Sequence, residues 1–285
     1  MKSTTTRRSA AGNTARWSAA GSTAAAERVE PGVAAGRRLA GALGGWLAEA
    51  RHRPYAKDLG VCLLFLVVAG WLTHGLWPDP ATRTLALNAD DQTLYEWFLA
   101  FDTRALFGDF SLVTDRLNTP DGVNLLANTS VIAIGILLSP VTVVFGAPVT
   151  FALVIAGNLA GTAAGWYLLF ARCLGAQRAA AAVGGALCGF APAMVSQSNS
   201  HLHMTSQWLV PLMVWFVLRI ARAADPDRPD NVRWRGRLFG SAAVLSALVT
   251  IQVFIGEEVL FLTALTLGLV IIGYAVARPA QAVRL

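Results

Sequence analysis

The sequence has few charged residues. Asp, Glu, Lys and Arg make up 14% of its 285 residues, whereas a soluble domain usually has about 25%. The charges that are present lie in short segments, and long stretches between them have none. This scarcity indicates a chain that lies in a lipid bilayer rather than one that is surrounded by water.

The sequence also has little cysteine and no metal-binding motif. Its three cysteines, Cys62, Cys173 and Cys188, lie within or at the ends of apolar runs. This placement indicates small packing residues rather than a disulfide framework. No spacing of Cys and His resembles a zinc site. The sequence therefore predicts no cofactor and no metal centre, and it leaves open whether a divalent metal is needed.

The excess of positive charge lies in the N-terminal tail. Residues 1–58 hold ten Lys and Arg against four acids, which equals the whole net charge of +6. The tail is rich in Ala, Gly, Ser and Thr, and we predict that it is largely disordered as far as about residue 35. Basic segments beside membrane spans are typical of the cytoplasmic side. No binding motif or aromatic interleaving favours a nucleic-acid partner.

Six long uncharged runs predict an all-α, polytopic helical membrane protein with about six transmembrane helices. A span needs about 20 apolar residues, and it must be helical because lipid offers the backbone amides no other partner. Residues 59–277 form the predicted transmembrane domain, and residues 278–285 form a cytoplasmic end. The runs are Leu59–Trp77, Ala147–Ala171, Ala179–Val195, Ser200–Leu218, Leu238–Gly256 and Val259–Ala277.

A further uncharged stretch, Thr129–Phe145, could also cross the membrane, and the positive charges decide against it. With six spans, 20 of the 23 Lys and Arg lie in predicted cytoplasmic segments. A seventh span would invert every later loop and leave thirteen of them outside, against the positive-inside rule. We therefore predict that residues 129–145 lie in or along the outer leaflet and that the N-terminus is cytoplasmic.

Residues 78–128 are then a long extracytoplasmic loop with eight acids and only three arginines, Arg83, Arg104 and Arg116. Apolar residues at helical spacing from Leu87 to Phe101 predict an interfacial helix on the outer surface. Asn88 and Asp91 have capping-box spacing, as do Thr93 and Glu96. The adjacent acids Asp90 and Asp91 at the start of this helix have two interpretations: they cap it and match its dipole, or one acts as a general base or holds a cation.

Other polar residues fall at the same predicted outer side. His201 and His203 start a span, and their spacing of two prevents them from sharing one face of a regular helix. Glu257 and Glu258 lie between two spans, either as a solvated helix-capping turn or with one side chain facing a cavity. Within the spans, Gly157, Gly161 and Gly165 recur every four residues, as do Gly185 and Gly189, which predicts close helix packing in a hairpin around residues 172–178.

Over residues 59–260 the chain resembles the N-terminal part of C-class (GT-C) membrane glycosyltransferases. The resemblance begins with Asp90-Asp91 and the following Tyr95-Glu-Trp-Phe-Leu-Ala in the first outer loop. It continues in order along the chain with Thr119-Pro-Asp-Gly-Val-Asn124, Asn128-Thr-Ser130, Phe145-Gly146, Gly189-Phe-Ala-Pro192 and Ser200-His-Leu-His203. The ordered series carries more weight than any one of its members.

The resemblance implies a bacterial plasma-membrane enzyme that moves a sugar from a polyprenyl-phosphate donor to a hydroxyl of a glycan, lipid or protein acceptor. Asp90 or Asp91 would deprotonate that hydroxyl, and the configuration at the sugar would invert. Donor-phosphate or substrate binding would fall to Arg104, His201, His203 and Glu257. The alternatives are a non-catalytic membrane partner and a transporter or flippase component for lipid-linked sugars.

Overall fold

A computed structural model describes residues 54–128, 130–223 and 234–277. Within these ranges the chain is mostly helical, and the only strands are the antiparallel pair β1 (Val113–Thr114) and β2 (Val123–Asn124). The predicted all-α class is therefore confirmed. The predicted disorder of the tail up to about residue 35 and the cytoplasmic end at 278–285 lie outside the described residues.

The helices follow one another with short connections. A 3₁₀ turn, Thr103–Phe107, follows α2, a second one, Leu125–Asn128, precedes α3, and a π-helical turn, Leu169–Cys173, continues α4. The α-helices are α1 (Pro54–Leu72), α2 (Ala89–Asp102), α3 (Ile132–Phe145), α4 (Ala147–Leu168), α5 (Arg178–Phe190), α6 (Pro192–Gln197), α7 (Leu202–Thr205), α8 (Val210–Ala223), α9 (Trp234–Val253) and α10 (Glu257–Ala277).

Four helical segments in the described part of the chain are long and apolar enough to cross a membrane. They correspond to four of the six predicted spans. Two further apolar helices, Ile132–Phe145 and Leu238–Val253, are shorter. The first of these is about 21 Å long, less than a hydrocarbon core of about 30 Å. The four long segments are Tyr55–Leu72, Ala147–Cys173, Arg178–Gln197 and Glu257–Ala277.

The predicted span Ser200–Leu218 is wrong as a single helix. The chain forms only the short α7, leaves helical geometry, and begins α8 at Val210. Pro211 lacks an N–H, so it is tolerated in the first turn of a helix and not inside one. In addition, the hydroxyls of Thr205 and Ser206 both donate to the carbonyl of Leu202, and such bonds favour irregular backbone.

The glycine stripes allow close packing, as predicted. A Cβ at Gly189 would lie 2.5 Å from the Cβ of Ala163, and a Cβ at Gly185 would lie 2.6 Å from its carbonyl oxygen. Helices α4 and α5 therefore form the expected hairpin. On the glycine stripe of α4, a Cβ at Gly165 would lie 2.6 Å from Pro211. This glycine therefore leaves room for the start of α8, after the irregular segment, to pack against α4.

Helix α2 packs into the core, although the sequence predicted that it lies along the outer surface. Its Tyr95, Phe98, Leu99 and Phe101 are buried in one cluster with residues of α3 and α4, among them Phe151. Its other face is exposed and begins with Asp90. The helix is therefore amphipathic, and it places its polar N-terminal turn at the edge of the packed helices.

A buried ionic group lies at the end of the packed helices opposite the N-terminal turn of α2, and we name it the closed cluster. Asp58 of α1 accepts hydrogen bonds from the Tyr167 hydroxyl at 2.6 Å, from the Arg178 Nε at 3.0 Å and from the Arg172 guanidinium. It joins the start of α1, the end of α4 and the start of α5. The charge count assigned these three ends to one side of the membrane, and the contacts group them accordingly.

The closed cluster also corrects one predicted boundary. The sequence placed Asp58 in the basic tail, but α1 begins at Pro54 and Asp58 is buried. Its charge is compensated within the helix bundle, because the two arginines that follow α4 in the chain turn toward it.

Candidate functional site

The start of α2 is fixed to the irregular segment that follows α6. Asn88 donates from Nδ2 to the Asn199 carbonyl at 2.7 Å, and the Ser200 hydroxyl donates to the Asn88 carbonyl at 3.0 Å. Ser200 has a φ of 80°, a strained conformation that cross-links like these can maintain. The capping boxes that the sequence predicted do not form, because Asn88 makes no side-chain cap and uses its amide across the two segments.

This connection brings His201 to the acidic pair. Its Nε2 lies 3.6 Å from the Oδ2 of Asp91, and both side chains are partly exposed. The other ring nitrogen, Nδ1, is buried and has no hydrogen-bond partner among the described residues. Asp90 is exposed and makes no hydrogen bond or ion pair with the described part of the chain. The structure therefore distinguishes the two acids, which the sequence could not.

His203 lies in a chain of three side chains. The Tyr95 hydroxyl bonds its Nδ1, and its Nε2 lies 3.2 Å from the Oε2 of Glu258. A carboxylate at Nε2 keeps the ring proton there, so Nδ1 accepts from the tyrosine. Burial lowers the pKa of His203, and the hydrogen bond to Glu258 opposes that change. The ring is therefore neutral at physiological pH.

Both histidines face one site because the backbone around them is irregular. Their ring centroids are 6.1 Å apart. His201 precedes α7 and His203 lies within it, so the rule that separates residues two apart on a regular helix does not apply. We name Asp91, His201, His203, Tyr95 and Glu258 the open cluster.

Glu257, which the sequence proposed for substrate binding, lies beside the open cluster but does not touch its histidines. It lines a cavity of about 500 Å³ with Glu258, Phe261 and Leu262. The turn before it approaches His203 closely, since a Cβ at Gly256 would lie 2.9 Å from the His203 Cβ. Both adjacent glutamates line the cavity, and Glu258 also contacts His203.

Arg104 is not brought to the acids. It lies beyond the far end of α2, about 20 Å from Asp91 along the helix axis. There its Nε donates to the Asp109 carbonyl at 3.0 Å, and its guanidinium pairs with the Asp109 carboxylate. The structure does not place Arg104 where it could meet a ligand bound beside Asp91.

Arg83 is the outer arginine that lines a cavity. This arginine cavity, of about 550 Å³, lies between the end of α1 and residues 198–199, and His74 and Asn199 also line it. The Arg83 Nη1 donates to the Gly75 carbonyl at 3.1 Å, and no carboxylate of the described residues pairs with it. The arginine cavity lies beside the first turn of α2, since Asn199 accepts a hydrogen bond from Asn88 and Gln92 donates to the Arg83 carbonyl at 3.2 Å.

Sequence reasoning missed Tyr95 and chose Glu257 over Glu258. A signal for Tyr95 was present, because it lies four residues after Asp91 and therefore on the same face of α2. The choice between the two glutamates depends on how α10 meets α7, which no local pattern encodes.

The described residues contain no group of three or more His, Cys, Asp and Glu that could hold a metal ion. The site is therefore described by its carboxylate–histidine pairs, its tyrosine and the adjacent arginine. The chain matches no known family model, no curated protein sequence and no solved structure.

Proposed function

We propose that the chain is a membrane glycosyltransferase that moves a sugar from a polyprenyl-phosphate donor to an acceptor hydroxyl on the extracytoplasmic side. One observation carries the proposal: the segments that hold a carboxylate–histidine pair, Asp91 and His201, also border a cavity lined by Arg83, whose guanidinium pairs with no carboxylate of the described residues. A base for a hydroxyl and a cation for a leaving phosphate are the two groups that such a transfer requires.

Each group has one role in the proposed step. Asp91 accepts the proton of the acceptor hydroxyl, whose oxygen attacks the anomeric carbon. The bond from that carbon to the phosphate oxygen breaks, and the lipid phosphate leaves with the electron pair toward Arg83. The sugar passes through an oxocarbenium-like transition state in which positive charge develops on the ring, and the configuration at the anomeric carbon inverts. His201 orients Asp91, and the chain from Tyr95 through His203 to Glu258 fixes the adjacent backbone.

The topology that this function needs has the N-terminus and the closed cluster in the cytoplasm and the open cluster outside. This topology also requires α8 and α9 to cross the membrane, with residues 198–209 on the outer side. Helix α8 has 14 residues, as α3 does, so the positive charges, and not its length, favour it as a crossing. The positive charges support this orientation. So does the grouping of helix ends, because Asp58 meets Arg172 and Arg178 while Asp91 meets His201.

Transfer from a panel of polyprenyl-phosphate hexoses and pentoses by the purified chain in lipid nanodiscs tests the proposal. Asp91→Asn should lower the rate about 10²- to 10⁴-fold, the usual contribution of a general base. Asp90→Asn is the matched control and should keep most of the activity, because Asp90 contacts none of the site residues. Full activity of Asp91→Asn, or no transfer from any donor, would contradict the proposal.

The role of Arg83 has its own control. Arg83→Gln should raise the KM for the donor and lower kcat, because the leaving phosphate loses its counter-charge. Arg116→Gln removes an exposed outer arginine that lines none of the cavities described above, and it should change neither constant. Equal effects of the two substitutions would indicate general electrostatic attraction instead of a phosphate site.

A further inference from the structure

A groove of about 330 Å³ runs along α10 on the side that faces α4 and α8. We name it the α10 groove. Leu262 lines both this groove and the cavity beside Glu257 and Glu258, so the two spaces meet at that residue. Apart from Leu262, the apolar residues that line it include Trp166, Val210, Val214, Leu267 and Val270.

The polar side chains in the α10 groove already have partners in their own helices or turns. The hydroxyls of Thr263 and Thr266 donate to the carbonyls of Val259 and Leu262, at 2.7 and 2.8 Å. The Gln207 amide nitrogen donates to the Met204 carbonyl at 2.9 Å. The lining therefore presents mainly methyl and methylene groups, which suit a hydrocarbon chain.

The dimensions favour a single hydrocarbon chain over a protein segment. From Val259 to Val270 the groove follows α10 for about 17 Å. A helix with its side chains is about 10 to 12 Å wide, too wide for a space of about 330 Å³ over that length. An extended acyl or prenyl chain is slender enough to lie in it.

The charge at the mouth of the groove selects the head group. Glu257 and Glu258 both line the cavity that opens there, and the neutral His203 does not compensate them. An anionic phosphate head would be repelled by the two carboxylates, whereas a hydroxyl or an amine would be accepted as a hydrogen-bond donor. Arg83 lines a different cavity, between other segments.

We propose that the α10 groove binds the chain of a lipid acceptor whose head is an uncharged hydroxyl or a cationic amine, presented beside His203 and Glu258. This inference rests on the proposed sugar transfer, because only that reaction makes the bound lipid an acceptor. It assigns the donor phosphate and the acceptor lipid to separate cavities. The binding itself is measurable without any transfer, so the two proposals can fail independently.

The test is binding of photoactivatable prenyl probes to the chain in nanodiscs. Probes of 15 to 20 carbons are chosen to match the groove of about 17 Å. Three heads are compared: alcohol, primary amine and monophosphate. The alcohol and amine probes should crosslink to α10 near Leu262 and Thr266, and the monophosphate should not. Labelling by the monophosphate at the same positions and to the same extent would overturn the assignment of the head group.

A matched pair of leucines separates a groove from the ordinary lipid that surrounds any span. Leu262 lines the groove and is 47% exposed, while Leu265 does not line it and is 48% exposed. Leu262→Trp should weaken probe binding about a hundredfold, since each pair of excluded methylenes costs about tenfold in affinity. Leu265→Trp should leave binding unchanged. Equal effects of the two variants on probe binding, or no effect of either, would contradict the assignment of the groove as the binding site.

The two proposals remain distinguishable in the outcomes. Selective binding of the alcohol and amine probes together with absence of transfer would keep the groove and reject the transferase. Transfer that is unaffected by Leu262→Trp, with a folded variant by size-exclusion chromatography, would keep the transferase and reject the lipid acceptor. Copurification of another protein chain that binds the same face of α10, and that neither the alcohol probe nor the amine probe displaces, would also reject the lipid acceptor.

Discussion

The closed cluster includes Tyr167 of α4, and the backbone beside His203 of the open cluster binds Asn158, about 14 Å away along the same helix. The two clusters differ in how fully their hydrogen bonds are satisfied. In the closed cluster both carboxylate oxygens of the buried Asp58 accept bonds from three side chains. In the open cluster a buried nitrogen of His201 has no partner in the part of the chain that the structure describes, and Glu258 is 57% exposed and bonds His203. The carboxylate of the closed cluster is fully hydrogen-bonded within the protein, whereas the open cluster has polar atoms that can still form hydrogen bonds.

This difference separates a structural role from a ligand-binding role. A buried charge with all its partners stabilises one arrangement of the helices around it, and removing a partner is costly. Polar atoms without partners in a buried site cost free energy in the unliganded protein. A bound substrate that forms hydrogen bonds with them removes this cost. The open cluster is therefore where we expect chemistry, and the closed cluster is where we expect stability.

The largest effect on stability should come from the closed cluster. Asp58→Ala leaves Arg172 and Arg178 without their counter-charge and should lower the free energy of unfolding by about 3 kcal/mol. Asp109→Ala removes the carboxylate of an exposed ion pair with Arg104, 69% exposed at the aspartate, and should cost less than about 1 kcal/mol. Thermal unfolding in detergent measures both. Similar losses would remove the distinction between buried and exposed pairs.

A third polar group, Asp102, extends the comparison to a buried carboxyl that has no partner among residues 54–128, 130–223 and 234–277. Asp102 at the end of α2 is 1% exposed, and neither of its oxygens has a hydrogen bond among the described residues. Gly135 stands directly against it and leaves no room for a side chain. Burial raises the pKa of Asp102 to about 8, compared with about 3.9 in an unfolded chain. The folded protein therefore keeps a proton that the unfolded chain releases.

The sign of the pH dependence follows from this proton. Between about pH 4 and pH 8 the folded state binds one more proton than the unfolded state, so stability falls as pH rises, by about 1.4 kcal/mol per unit. From pH 6 to pH 8 we expect a loss of about 2 kcal/mol. Asp102→Asn should remove this slope, and Asp109→Asn should not. Unfolding midpoints across this range that are independent of pH in the wild type would contradict it.

A smaller effect tests how closely α4 and α5 pack beside the closed cluster. A Cβ at Gly185 would lie 2.9 Å from the Tyr167 Cβ, and Tyr167 is the residue that donates to Asp58. Gly185→Ala should therefore cost about 1 to 2 kcal/mol through overpacking. Gly157→Ala has open space around it and should be neutral or slightly stabilising. A neutral Gly185→Ala in the same unfolding assay would mean that the hairpin can relax.

The sequence predicted the features that follow from local patterns. Uncharged runs located α1, α4, the α5–α6 segment and α10, and the apolar spacing from Leu87 to Phe101 located α2. Glycine spacing predicted the α4–α5 hairpin, because small residues at every fourth position lie on one helix face.

The pairing of distant residues could not be predicted in the same way. His201 meets Asp91 only because the segment from Ser198 to Leu209 is irregular, and the sequence analysis had assigned most of this uncharged segment to a span. Arg104 and Arg83 are both outer arginines in sequence, but the direction of α2 carries one away from the acids and the end of α1 keeps the other near them. Such placements depend on tertiary contacts, which neither periodicity nor composition encodes.

The location of the two clusters on opposite sides of the membrane is the claim on which the proposed function depends. With Cys62, Cys173 and Cys188 replaced, single cysteines at Ala89 beside the open cluster and Lys57 beside the closed cluster would be labelled in intact cells with a membrane-impermeant maleimide. Both positions are exposed in the protein. We predict labelling of Ala89→Cys in intact cells and of Lys57→Cys only after permeabilisation. The reverse pattern would contradict the account.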